Sequence, residues 1–118
     1  MTPKRIQRKR TKGWRMPEGA VYVGRGSKYG NPWRIWWEPR FRRWVIQADH
    51  NATSERFLTE SEAKECAVSH FKFWAWRLDV ESLRGKDLAC WCPLTDAQGN
   101  HVPCHADVLL ELANKEEA

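Results

Sequence analysis

Three of the four cysteines fall in one short stretch, as Cys90-Trp91-Cys92 and Pro103-Cys104-His105. Three sulfurs and an imidazole around one loop allow two chemistries. One is a tetrahedral zinc site on Cys90, Cys92, Cys104 and His105, which would pin the eleven-residue loop between Cys92 and Cys104. The C-x-C and adjacent Cys-His spacings depart from usual zinc-ligand gaps, and a metal-free site is the other reading. In it Cys104, at the start of a helix, is a thiolate stabilised by the helix dipole and by His105. Asp107 lies in the first helical turn, where it orients His105 or merely favours the dipole, and His101 is a further group for proton transfer. A purely structural role for all of them, with Cys90 in the core and His105 as a cap, stays open beside these.

A second loop offers binding groups. Gly24-Arg25-Gly26-Ser27-Lys28-Tyr29-Gly30-Asn31-Pro32 combines backbone freedom with charge and short polar groups. Arg25, Ser27, Lys28, Gly30 and Asn31 are the residues expected to hold a phosphate or carboxylate there, with Cys90 and Cys92 facing them. The spacing matches no standard phosphate loop. A tight turn ended by Pro32 explains it equally well.

These loops need elements to carry them. The β-branched run Ala20 to Arg25 predicts a central strand, Asp87 to Trp91 a second buried strand, and the residues from His105 a closing helix. Between them, Trp33 to Ala48 predicts an aromatic hairpin turning at Glu38-Pro39-Arg40, and Asp49 to Ser54 a loop. A helix from Thr59 to Leu78 is marked by the Thr59/Glu62 capping box and by the stripe Ala63, Ala67, Phe71, Trp74 and Leu78. Cys66 and His70 border that stripe and read as structural. The order predicts an α/β fold, a small mixed sheet with a β-hairpin and two main helices, and a Rossmann-like strand-to-helix site. If the strands ending at Arg25 and Cys90 are parallel neighbours, the two loops meet at one edge, where ligands bind in such folds.

Charge is divided along the chain. Residues 1–43 hold 13 Lys/Arg against 2 acids, net +11, and residues 44–118 are net −6. Residues 1–15 read as a basic, mobile arm before a single domain over 16–118, and Arg5, Arg8, Lys9, Arg10 and Lys12 as its candidate nucleic-acid contacts. A solvated tail that only aids solubility is the plain alternative. Eight tryptophans either build a core of large rings or offer stacking surfaces. The arginines and tryptophans of the hairpin interleave, which suits a nucleic-acid surface or an exposed hairpin with Arg stems over Trp faces. No run is long and apolar enough for a membrane span, so a cytoplasmic protein with thiols rather than disulfides is expected.

At Gly24-Arg25 with Gly30-Asn31-Pro32, at Leu83-Arg84-Gly85-Lys86-Asp87-Leu88-Ala89-Cys90-Trp91-Cys92, and at Pro103-Cys104-His105-Ala106-Asp107-Val108-Leu109, the sequence resembles a bacterial and phage family catalogued as domain of unknown function 4326. The resemblance covers most of the chain between Trp14 and Asn114. It implies that the glycine loop and the Cys/His loop belong to one site, and, for a phage protein, the host cytoplasm as location. Gly26 stands where the family pattern has proline, and the loop between Cys92 and Pro103 is longer.

Three functions follow as expectations. The first is binding, and processing if Cys104 and His105 are reactive, of a nucleotide, nucleoside or other phosphate-bearing ligand, with no cofactor required. The second is a nucleic-acid-binding accessory protein with structural or zinc-bound cysteines. The third is a small effector that binds a host protein through its tryptophans.

Overall fold

The computed structural model describes residues 3–50 and 53–115, with six strands and two α-helices among them. Met1 and Thr2 of the expected arm, Asn51 and Ala52 of the expected loop, and residues 116–118 of the expected domain lie outside the described residues. The strands are β1 (Arg5–Gln7), β2 (Val21–Tyr22), β3 (Trp33–Glu38), β4 (Arg43–Ala48), β5 (Ser54–Phe57) and β6 (Leu88–Cys90); the helices are α1 (Glu60–Trp74) and α2 (His105–Asn114). The fold is mixed α/β, as expected. Its strands nonetheless divide into two sheets rather than one mixed sheet: a parallel one ordered β1-β6-β2 and an antiparallel one ordered β3-β4-β5.

The parallel sheet carries the candidate site. Val21 and Tyr22 pair with Leu88 and Ala89, so the strand from the glycine loop and the strand from the cysteine loop are parallel neighbours. The strand expected to be central is instead at an edge, and β6, buried at all three positions, is the middle one. The third strand corrects the reading of the basic arm. Arg5, Ile6 and Gln7 pair in parallel with Leu88, Ala89 and Cys90, and the pairing extends through bonds from Leu88 N–H to the Lys4 carbonyl and from Arg8 N–H to the Cys90 carbonyl.

The hairpin forms as its sequence predicts, with Trp33 opposite Ala48 and Glu38 opposite Arg43. Ser54, placed in a loop by its sequence, begins β5, which pairs with β4 from Trp44↔Phe57 to Gln47↔Ser54. Helix α1 lies between the sheets. Ala63 and Ala67 pack on Ile46 and the hairpin rings, while Phe71 belongs to the core formed with Leu83, Leu88 and Leu109. The expected stripe is therefore real, but it serves two cores. Thr59 caps the helix, accepting from Glu62 N–H at 3.1 Å. The helix ends at Trp74, four residues short of the expected Leu78, and a 3-10 turn over Ala75–Arg77 follows. No tryptophan is fully buried; Trp36, Trp37, Trp76 and Trp91 are exposed.

Candidate functional site: a thiol-floored pocket at the parallel strand ends

β2 and β6 run in the same direction, so their carboxyl ends open on one side, where the chain enters the glycine loop and the cysteine loop. A pocket of about 410 Å³ occupies this edge. The first loop contributes Gly24, Arg25 and Asn31, the hairpin Trp33 and Ile35, and α1 Lys64, Ala67 and Val68. The remainder of the wall is Cys90 to Pro93 and Val102 to His105. Arg25, Asn31, Cys90, Cys92, Cys104 and His105 are thus brought together.

The other residues expected in the glycine loop stand outside that lining and build the loop. Ser27 Oγ donates to the Gly24 carbonyl at 2.7 Å, and Lys28 lies over the Tyr29 ring. At Gly30 a Cβ would meet the Gly24 carbonyl oxygen at 3.0 Å and Arg25 Cα at 3.2 Å, so any side chain there requires the facing backbone to give by a few tenths of an ångström. Asn31 locks the loop to its neighbours: its carbonyl accepts from Trp33 N–H at 2.9 Å and its amide donates to the Ala67 carbonyl at 3.3 Å.

The floor is a cluster of sulfurs. Cys90 Sγ and Cys104 Sγ are 3.1 Å apart, and the donor atoms of Cys90, Cys92 and Cys104 all lie within 4.8 Å of one another. Cys104 Sγ is 3.6 Å from His105 Nδ1, whose other nitrogen, Nε2, is 2.7 Å from the Val23 carbonyl. A carbonyl only accepts, so Nε2 carries the proton, and burial depresses the His105 pKa, so the ring is neutral and Nδ1 offers a lone pair to the sulfur. The element that orients His105 is therefore β2, through the backbone of Val23.

Two expectations change here. Asp107 does not face His105: its Oδ2 accepts from Arg5 Nη1 at 3.1 Å, from the Cys104 backbone N–H at 3.2 Å, and pairs with His101 Nε2 at 2.8 Å. A Cys104–His105–Asp107 relay is thus not assembled. The favoured thiolate is also elsewhere. Hydrogen bonds from the Cys104 and Cys90 thiols hold the Cys92 pKa down, whereas Cys104, bonded to Cys90 and Cys92 and buried, is pushed up. At Cys90 the bond from Cys104 is outweighed by its bond to Cys92 and by burial, and its pKa also rises. The three thiols titrate as one coupled group, in which the hydrogen bonds favour the thiolate at Cys92 over Cys90 and Cys104.

The three cysteines fit a soft divalent cation. Zn–S bonds of about 2.3 Å in a tetrahedron separate sulfurs by roughly 3.7 Å, so a cluster with one separation of 3.1 Å and none above 4.8 Å needs adjustments of no more than about 1 Å. His105 Nδ1 adjoins only Cys104, which makes the three thiols the primary donor set and leaves the histidine or a ligand in the pocket for the fourth position.

Arg5 is the residue whose role sequence reasoning missed. Its side chain is 4% exposed and binds the Val102 carbonyl at 2.8 Å, the Pro93 and Leu94 carbonyls at 3.0 and 3.2 Å, and Asp107. It clamps both ends of the loop between Cys92 and Cys104. It is therefore not available to a phosphate backbone. Arg8 and Arg10 do remain at the surface, with guanidinium carbons 5.0 and 4.9 Å from the Trp91 ring centre, and Lys9 and Lys12 are exposed. Lys64, Val68, Trp33 and Ile35 were also not singled out; their signal, helical and strand spacing towards the site, is the ordinary signal of a core face.

Fold and site together define a small α/β protein with a thiol-floored pocket at a parallel sheet edge. The chain belongs to the family described as Domain of unknown function (DUF4326), which it matches over residues 6–115. No curated protein and no solved structure matches it.

Proposed function

We propose that the chain binds a nucleotide, nucleoside or related phosphate-bearing compound in this pocket, above a zinc ion held by Cys90, Cys92 and Cys104. The observation that carries the reading is the pairing of opposites in one cavity. Arg25 supplies positive charge, with Lys64 beside it once its ammonium leaves the 3.0 Å pair with Glu60, Trp33, Ile35 and Val68 supply apolar wall for a flat ring, and three soft donors form the floor. A bound zinc would act as a Lewis acid beside the ligand. Arg25 is exposed and its loop is braced by the bond from Tyr22 Oη to the Arg25 carbonyl at 2.8 Å, so its guanidinium is free to meet an anion without moving backbone.

The test is thermal denaturation of the wild type, Arg25→Ala and Lys64→Ala with a panel of nucleotides, nucleosides and inorganic phosphate. A ligand present at a hundred times its Kd adds about 2.7 kcal/mol of stability, an easily read rise in Tm. That rise should shrink in both variants while their Tm without ligand stays near the wild-type value. Absence of any shift across the panel would overturn the reading. A second reading, binding of a nucleic-acid strand, is favoured by the Arg8 and Arg10 pair stacked on Trp91 at the pocket wall. Steeply salt-dependent binding of single strands, weakened in Arg8→Ala and Arg10→Ala, would select it.

A further inference from the structure

A second group of donors lies on the other flank of α1, away from the three thiols. Cys66 and His70 are four residues apart and so share a helix face. Glu55 reaches them from β5, opposite Ile46. Its Oε1 is 2.5 Å from His70 Nε2 and its Oε2 is 3.6 Å from Cys66 Sγ, and one carboxylate oxygen, the imidazole nitrogen and the sulfur all lie within 4.8 Å of one another. We propose that Glu55, Cys66 and His70 form a metal site of their own, taking one borderline divalent cation such as zinc, with water completing the coordination.

The donor geometry carries the assignment. Bonds of about 2.0 to 2.3 Å to nitrogen, oxygen and sulfur place neighbouring tetrahedral donors roughly 3.3 to 3.6 Å apart. The carboxylate-to-sulfur separation already meets that, and the carboxylate-to-imidazole separation has to open by less than about 1 Å. The imidazole is fixed in plane by stacking on Trp33, with ring centres 5.4 Å apart and planes 14° from parallel, which keeps Nε2 aimed at the carboxylate. The histidine–glutamate pair supplies two of the groups, and the Cys66 thiol, donating to the same carboxylate, brings a third ligand atom to it. Without a cation the Cys66 thiol stays protonated and donates to the Glu55 carboxylate, because burial, the Glu55 charge and that bond push its pKa up to about 11; a divalent cation would take the place of this proton. Side-chain exposures of 38% for His70 and 47% for Glu55 leave an open side for water. One sulfur, one nitrogen and one oxygen suit zinc or cobalt and not a hard ion such as magnesium.

The experiment is titration of chelator-stripped, reduced full-length protein with Zn²⁺, followed by calorimetry, and with Co²⁺, followed by its thiolate charge-transfer and d–d bands. Wild type, Cys66→Ser, His70→Ala, Glu55→Gln and Cys90→Ser are compared. Each of the first three variants should bind one ion fewer than wild type, or bind that ion at least tenfold more weakly, while Cys90→Ser retains it. This outcome is read independently of the three-thiol floor: if that floor takes no metal, wild type binds one ion and Cys66→Ser none. Because Glu55 is exposed, Glu55→Gln reports on the site even if a helix variant folds poorly. Unchanged stoichiometry and affinity in Cys66→Ser and Glu55→Gln, or no ion bound by wild type, would overturn the proposal.

Discussion

Arg5 shows how one side chain ties distant parts of the sequence to the site. Its guanidinium meets three backbone carbonyls and a carboxylate, all contributed by residues 93–107, and its Nε is buried with no hydrogen-bond partner among the described residues. Removing one partner of a buried charged pair typically costs 3 to 5 kcal/mol. Asp107 is one-third exposed, which moves the expectation to the lower end. Arg5→Ala should therefore lose about 3 kcal/mol in urea denaturation, and its thiols should react faster with a disulfide reagent as the loop loosens. Equal stability and equal thiol reactivity would show that the clamp is incidental. Gly30 makes a second residue-scale case. Gly30→Ala forces a Cβ onto backbone, not onto a yielding side chain, so it should cost roughly 1 to 3 kcal/mol and displace Arg25. A nucleotide-induced Tm rise smaller in Gly30→Ala than in wild type would report that displacement.

At the scale of elements, the clearest prediction concerns β1. Deleting residues 1–8 removes an edge strand of the parallel sheet, uncovers one side of β6 and frees the clamp on the cysteine loop. The deletion should abolish the cooperative thermal transition seen by circular dichroism, or lower its midpoint sharply, whereas loss of a solvated arm would leave it in place. The difference between these outcomes is the difference between structure and sequence reading here. A three-residue parallel strand in a basic segment has no local signature: Ile6 is its only apolar residue, and its partners stand more than eighty positions away. By contrast α1 was legible because its cap and its stripe are local, and the hairpin because its aromatics alternate about a marked turn. The meeting of the glycine and cysteine loops was legible as well, since it follows from two parallel strands. What the sequence hid in the site was whatever depends on side-chain direction: that His105 is held by the Val23 backbone, that Asp107 turns to Arg5 and His101, and that the hydrogen bonds among the thiols favour Cys92 as the thiolate. Sequence proximity suggested other pairings, and burial decided against them.

For the whole molecule, α1 is the common wall of the two sheets. Phe71, fully buried, joins it to the parallel side and packs edge-on against His105 with ring centres 5.2 Å apart. Phe71→Ala should cost about 3 to 5 kcal/mol and lower the affinity for any pocket ligand in the same variant. Metal should act on the same scale. If the three thiols hold zinc, chelator treatment of the purified protein should lower Tm and make Cys90, Cys92 and Cys104 reactive, with both effects reversed on adding zinc back; an unchanged Tm and unchanged thiol counts after chelation would rule out a metal floor. The position of β1 also governs how the chain is made. Its hydrogen bonds go to residues 88–90, and Arg5 closes on carbonyls at residues 93, 94 and 102. During synthesis, at about 5 to 20 residues per second, this strand emerges early and waits several seconds with no partner, while the antiparallel sheet can already pair. The parallel sheet and its pocket can assemble only after residue 105 has left the ribosome, so β1, translated before every other element of the sheet, is secured no sooner than the last of them.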